Sequence, residues 1–181
     1  MSHSAGTKAG RKMLEIPSGT HQAPTGLNFH LAQSVRLPEN SFLSLTGNNG
    51  VGKTTFVEHV LIPFLRQTFS LLYIAQDTHL QYNTMRSTLA LLGESAPSSG
   101  PELAMAWIQA AKHKDMLIID EFDKYLCPEQ IQACDLASFG WVISVSHLDR
   151  NDLYTQFAHG FALRLQKTDQ YNTNLSLERL W

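Results

Sequence analysis

Residues 42–55 read Phe-Leu-Ser-Leu-Thr-Gly-Asn-Asn-Gly-Val-Gly-Lys-Thr-Thr. No other stretch restricts the fold as strongly. A short apolar run with a β-branched residue enters Gly47, and Gly52-Lys53-Thr54 completes the spacing G-x-x-x-x-G-K-[ST]. Such a loop turns tightly because its glycines carry no Cβ, and its backbone N–H groups face inward around an anion. The helix-like segment that follows adds its own free N–H groups and its dipole at that end. Lys53 supplies a positive charge for β- and γ-phosphates, and the Thr54 hydroxyl is suited to ligating Mg²⁺. The predicted phosphate contacts are Gly47, Asn48, Asn49, Gly50, Val51, Gly52, Lys53, Thr54 and Thr55. A bare glycine-rich turn accounts for the glycines but not for a strand before them and a helix after.

At 181 residues the chain is long enough for one sizeable α/β core and too short for two comfortable domains. The reading is a flexible tail over 1–12 and a single domain over 13–181. A formal net charge of −2 gives no electrostatic footprint for nucleic acid, which is not indicated as a partner. Cys127 and Cys134 have no metal-ligand spacing, so two reduced thiols and a cytoplasmic setting are expected. No apolar run approaches the length of a membrane span.

Strand-like and helix-like segments alternate, which predicts an α/β layer structure. Strands are expected at 13–16, 27–31, 42–46, 70–75, 116–120, 141–145 and 161–165, and helices at 53–62, 80–92, 101–113 and 128–137. Continuous apolar runs such as Met116-Leu117-Ile118-Ile119 suit strands covered on both faces, as in a parallel sheet. Pro63 is expected to end the first helix, and Gly93 the second.

A Mg²⁺-nucleotide site needs a carboxylate at the end of a nearby strand. The run 116–121 supplies two. Asp120 is placed to hold the metal, and Glu121, one residue on, to take a proton from an attacking water.

With these two motifs in hand, the chain resembles an ATPase of the ATP-binding cassette superfamily. Tyr73-Ile74-Ala75-Gln76-Asp77 is similar to that family's Q-loop, and Ile143-Ser144-Val145-Ser146-His147 to the strand ending in its switch histidine. The four elements stand in the family's order. The resemblance implies a P-loop NTPase with a mainly parallel sheet flanked by helices, N-terminal antiparallel strands and a reduced helical subdomain. It implies ATP and Mg²⁺ as ligands, and a catalytic set of Glu121, Gln76 and His147. The metal set would be Thr54, Asp120 and Gln76. The simpler alternatives are a loop amide for Gln76 and a strand-end histidine for His147.

Ser99 and Gly100 stand where the family has its signature, and by resemblance they would grip the γ-phosphate bound to a second chain. The same residues also suit an N-cap for the helix that follows. Pro101 and Glu102 depart from the family pattern, as does the segment 122–127 after the acidic pair. Only 23 residues separate Lys53 from Gln76, and 22 separate Gln76 from Ser98. Both intervals are shorter than is usual in transporter subunits of the family. Two roles are open to Phe29, an adenine-stacking ring or a core strand residue.

The function implied is an ATPase that drives a conformational change in a partner through ATP-dependent homodimerisation, or heterodimerisation with a related ATPase. The alternatives are the ATP-binding subunit of a transporter, held at the membrane by a membrane-protein partner, and a non-hydrolytic binding module. A P-loop kinase is more distant, with Arg86 and Arg150 as its only candidate lid arginines.

Overall fold

The computed structural model describes residues 12–121, 128–146 and 155–181. Among them the strands are β1 (Met13–Ile16), β2 (Gly19–Gln22), β3 (Asn28–Leu31), β4 (Val35–Pro38), β5 (Ser41–Thr46), β6 (Leu71–Ile74), β7 (Met116–Asp120), β8 (Trp141–Val145), β9 (His159–Lys167) and β10 (Asn172–Arg179). The helices are α1 (Lys53–Phe56), α2 (Ile62–Leu65), α3 (Tyr82–Leu91), α4 (Gly100–Ala110) and α5 (Pro128–Ala133).

Eight strands join in the order β2-β3-β10-β9-β5-β8-β7-β6. From β6 to β9 every neighbouring pair is parallel. Antiparallel pairing is confined to the other end, where β10 meets β9 and β2 meets β3, and to the separate β1–β4 ribbon. The fold is therefore α/β with a mainly parallel sheet and N-terminal antiparallel strands, as the sequence predicts.

The continuous apolar runs are explained by two cores. All five residues of β7 and of β8 are buried. With a side-chain period of two, Met116 and Ile118 face one core and Leu117 and Ile119 the other. The first core is closed by Phe56, Val57, Leu61 and Leu65 of the helical run after the glycine loop. The second is closed by Met85 and Leu89 of α3 and by Leu103, Trp107 and Ile108 of α4. Each such side chain contributes about 1.5–3 kcal/mol of burial, so the strand ends that carry the site rest on a sheet supported from both sides. Among the described residues, α3 and α4 are the α-helices between β6 and β7, preceded by a 3-10 turn at Thr78–Gln81.

Two features differ from expectation, and a third decides between roles the sequence left open. The helical run does not stop at Pro63. It continues to Leu65, because the turn over Val57–Leu61 widens to π geometry just before the proline. The Ile62 N–H donates to the Val57 carbonyl there, and this wider spacing accommodates a ring that cannot fit a regular α-turn. Strands β2, β4 and β10 are additional to those read from the sequence. Phe29 is a core residue: it is fully buried, with its ring centroid 5.1 Å from that of Phe56, so it is not a stacking surface for a base.

Candidate functional site

The C-terminal ends of β5, β6, β7 and β8 all open on one side of the sheet, the position where open α/β sheets place ligands. The chain leaving β5 is forced into its loop by two glycines. Gly47 has φ +147°, and a Cβ on it would lie 2.5 Å from the Leu165 carbonyl oxygen. Gly52 has φ +93° and would press a Cβ against the Phe29 ring at 3.2 Å. Both the left-handed backbone and the close approach require glycine. Thr173 of β10 braces the loop from below, its hydroxyl donating to the Val51 carbonyl at 3.1 Å.

The loop borders a cleft of about 420 Å³ whose walls include Lys53, Thr54, Gln76, Asp120 and Glu121. Asn49, Gly50, Gly52 and Thr55 also face it, whereas Gly47, Asn48 and Val51 lie on the loop's other side. Lys53 is buried, and its Nζ donates to the carbonyls of Gly47 (2.8 Å) and Asn48 (3.2 Å). Burial holds its pKa below the ordinary lysine value, against the upward pull of Glu121 and Asp120.

Two side-chain pairs sit opposite the loop. The Thr54 hydroxyl donates to Asp120 Oδ2 at 2.8 Å. The other oxygen, Oδ1, is buried with no hydrogen-bond partner among the described residues. Burial pushes the Asp120 carboxyl up to about 6, although the Thr54 hydrogen bond works against it. Beside this pair, Gln76 Nε2 donates to Glu121 Oε2 at 2.8 Å. Glu121 is itself buried and sits at φ +53°, a left-handed conformation uncommon for a non-glycine residue. Its N–H donates to the Val145 carbonyl at the end of β8 (2.8 Å). That bond turns the chain at the strand end and swings the carboxylate towards the cleft.

Of the residues singled out from the sequence, the structure brings together the glycine loop, Gln76, Asp120 and Glu121. Ser99 and Gly100 do not line this cleft. Ser99 caps α4, its hydroxyl accepting from the Glu102 N–H at 3.3 Å. Gly100 packs against the Tyr82 hydroxyl so closely that a Cβ would collide with it. His147, Arg150 and the segment 122–127 lie outside the described residues. Arg86 stands over the Tyr82 ring, 5.8 Å from its centroid.

Two contributors were not read from the sequence. Gln81 clamps the end of β6, accepting from the Ala75 N–H (2.9 Å) and donating to the Tyr73 carbonyl (3.0 Å). It thereby fixes the turn that carries Gln76. Val145 contributes only its backbone, which no sequence pattern marks.

No protein-family model and no curated protein matches the sequence. Solved structures do match in fold. The "RNase-L Inhibitor" aligns with TM-score 0.57 and 15% identity over 93% of this chain and 40% of its own. The archaeal ribosome recycling factor aABCE1, solved with the ribosomal stalk protein aP1, aligns at 0.61 and 12% identity over 99% of this chain and 42% of its own. A bacterial Atm1-family ABC exporter with ATP bound aligns at 0.57 and 16% identity over 94% of this chain and 39% of its own. The chain has an ABC-type ATPase fold. It spans less than half the length of each of these chains. In this fold the glycine loop, the acidic strand end and Gln76 share one cleft.

Proposed function

We propose that this protein binds MgATP in the cleft and hydrolyses it, and that ATP draws two such domains together to drive a conformational change in a partner. The observation that carries the reading is the pairing of Thr54 with Asp120 and of Gln76 with Glu121, side by side and opposite the loop that holds Lys53. Two buried carboxylates facing a phosphate-sized loop are mutually repulsive with any anion, so a cation must join the ligand. The unpartnered Asp120 Oδ1 and the Thr54 hydroxyl are the hard oxygen donors that Mg²⁺ prefers. Thr54 and Asp120 would hold the metal, with Gln76 nearby. When bound, it neutralises charge on the phosphate oxygens.

The protein's own groups do the rest. The loop N–H groups bind the phosphates. Lys53 exchanges two neutral carbonyl acceptors for charged oxygens, which form hydrogen bonds about twice as strong. Glu121 accepts a proton from the attacking water, and Gln76 holds its carboxylate in place through Oε2. His147 is assigned a hydrogen bond to the γ-phosphate. Ser99 and Gly100, away from the cleft of their own chain, are assigned to the phosphate held by a second chain. The neighbours include a ribosome recycling factor and an exporter. The short Lys53–Gln76 and Gln76–Ser98 intervals favour a soluble partner over a permease. No helix among the described residues is long and apolar enough to cross a membrane.

Glu121→Gln keeps the shape and removes the base. Phosphate release should fall by ~10²-fold or more while ATP binding survives, and a wild type that releases no more phosphate than the variant would reject hydrolysis. With MgATP the same variant should scatter light as a dimer and with ADP as a monomer. Ser99→Arg should remove the dimer and leave ATP binding intact. A monomer under every nucleotide condition would refute the association.

A further inference from the structure

Beyond their last paired residues, β6 and β7 are joined again, this time by side chains. The ladder between them ends at Ile74 opposite Ile119. Continued by two places, the same register sets Gln76 opposite Glu121, and these two share the 2.8 Å bond. β6 is the outermost strand on its side, so past Ile74 no strand ladder among the described residues keeps its backbone in line. We propose that Gln81 does so in place of a strand, and is thereby a positioning residue for ATP hydrolysis. The proposal rests on the reading of Glu121 as the proton acceptor.

Gln81 Nε2 donates to the Tyr73 carbonyl at 3.0 Å, and Gln81 Oε1 accepts from the Ala75 N–H at 2.9 Å. The two backbone groups flank Ile74. A residue of a parallel neighbour would meet them in the same way, with one N–H and one C=O. A single side-chain amide thus extends the eight-stranded sheet by one residue's worth of pairing. Water at an open edge would satisfy the same two groups, but it would not hold them in line with β7. Gln81 is itself well anchored. It ends the Thr78–Gln81 turn and enters α3, whose Met85 and Leu89 are buried. On the other flank of Gln76, Thr78 is buried and Asp77 Oδ1 accepts from the His79 N–H at 3.2 Å. Gln76 is therefore bracketed between two fixed points.

The position is chemically narrow. It needs a donor and an acceptor on one group, and the two backbone partners decide which end of the amide is which. Glutamate would accept from Ala75 but set a carboxylate oxygen against the Tyr73 carbonyl. Lysine and arginine only donate. Asparagine carries the same group one methylene short. Gln81 is not among the described residues lining the cleft, so its loss should reach the rate and spare the binding of ATP.

Phosphate release by the full chain at saturating MgATP, beside ATP affinity from nucleotide titration, tests this. Gln81→Leu should lower release about 10- to 100-fold, the scale of a misplaced reacting group. Its ATP affinity should stay within about twofold of wild type, since the loop contacts remain, which also shows that the variant is folded. In a Glu121→Gln background the same substitution should cost less than about twofold, because residues that act as a unit are not additive. Gln81→Glu should release phosphate slowly at about pH 8 and gain on wild type, measured at the same pH, down to about pH 5. Protonation there returns an O–H donor beside the acceptor. Wild-type release by Gln81→Leu would overturn the proposal, and so would a full loss repeated in the Glu121→Gln background. Should Gln81→Leu fail to fold, the isosteric Gln81→Glu decides, and a ratio to wild type that is flat with pH rejects the role. If the wild type releases no more phosphate than Glu121→Gln, the hydrolysis reading itself falls, and the proposal with it.

Discussion

Asp120→Asn should make the nucleotide-free protein more stable, not less. The Asp120 carboxyl is fully buried and has one oxygen without a hydrogen bond. Its pKa rises from 3.8 to about 6, chiefly through burial. That displacement corresponds to about 3 kcal/mol set against the folded state once the group is ionised. Asparagine removes the charge and keeps an oxygen for the Thr54 hydroxyl, but its Nδ2 takes the place of an unpartnered atom. A buried donor left unpaired costs about 1–3 kcal/mol. The net gain is therefore up to about 2 kcal/mol, or up to about 8 °C in Tm for a domain of this size. The sign with pH is fixed by the direction of the displacement. The carboxyl's folded value lies above its ordinary one, so the penalty is absent below 3.8, grows between 3.8 and about 6, and is complete above that. Thermal unfolding in chelator from pH 4 to 8 should show the gap opening over that window. Adding MgATP should reverse the order, because ligand that binds the folded wild type raises its Tm and the variant has lost a metal donor. A variant less stable than wild type at pH 8 in chelator, or a gap independent of pH, would refute the reasoning.

Lys53→Ala should cost several kcal/mol of ATP affinity by removing a charge-assisted contact, measurable by nucleotide titration; unchanged affinity would remove the phosphate-loop assignment. Gly47→Ala forces a Cβ to within 2.5 Å of the Leu165 carbonyl at φ +147°, and should lower stability by about 1–3 kcal/mol in urea unfolding. Asp115→Ala should cost about 1–2 kcal/mol at pH 7. Asp115 pairs with Lys12 at 2.7 Å and accepts from the Ser70 N–H and hydroxyl, which hold its carboxyl down at about 2. Its contribution is complete above pH 3.8 and is lost as pH falls through about 2, so acid titration of both proteins by circular dichroism should show the two curves converging.

The parallel half of the sheet was legible because β5, β7 and β8 are buried on both faces and so must be written in apolar residues. The strands missed are those the fold supports rather than their own composition. All but one of the β2 residues Gly-Thr-His-Gln are exposed, and β10 buries only Thr173 and Leu175. Each is a strand because a neighbour supplies its hydrogen bonds. β4 ends in a proline and carries Arg36, yet Leu37 is anchored by the buried Trp141 indole, which donates to its carbonyl at 3.1 Å. At the site, motif spacing located the loop, Asp120 and Glu121, since each chemistry demands a particular side chain, while Gln76 was pointed to by the family resemblance alone. Gln81 and Val145 act on or through backbone groups, and any residue could carry the Val145 carbonyl. Phe29 was ambiguous because a strand aromatic reads the same whether its ring meets a ligand or, as here, Phe56 and Gly52.

The bond between Gln76 and Glu121 sets a mechanical tolerance. At 2.8 Å it has about 0.7 Å of stretch before a hydrogen bond of useful strength is gone. Glu121 has little freedom to follow, since its N–H is tied to Val145 and its backbone is held in a left-handed corner. Gln76 stands at the opposite extreme, just beyond β6, the outermost strand of the sheet on that side. A push on this border that shifts the turn by less than the width of an atom uncouples the amide from the carboxylate. The response of such a joint is closer to that of an electrical contact than of a spring, so a partner need not deform the domain to control it.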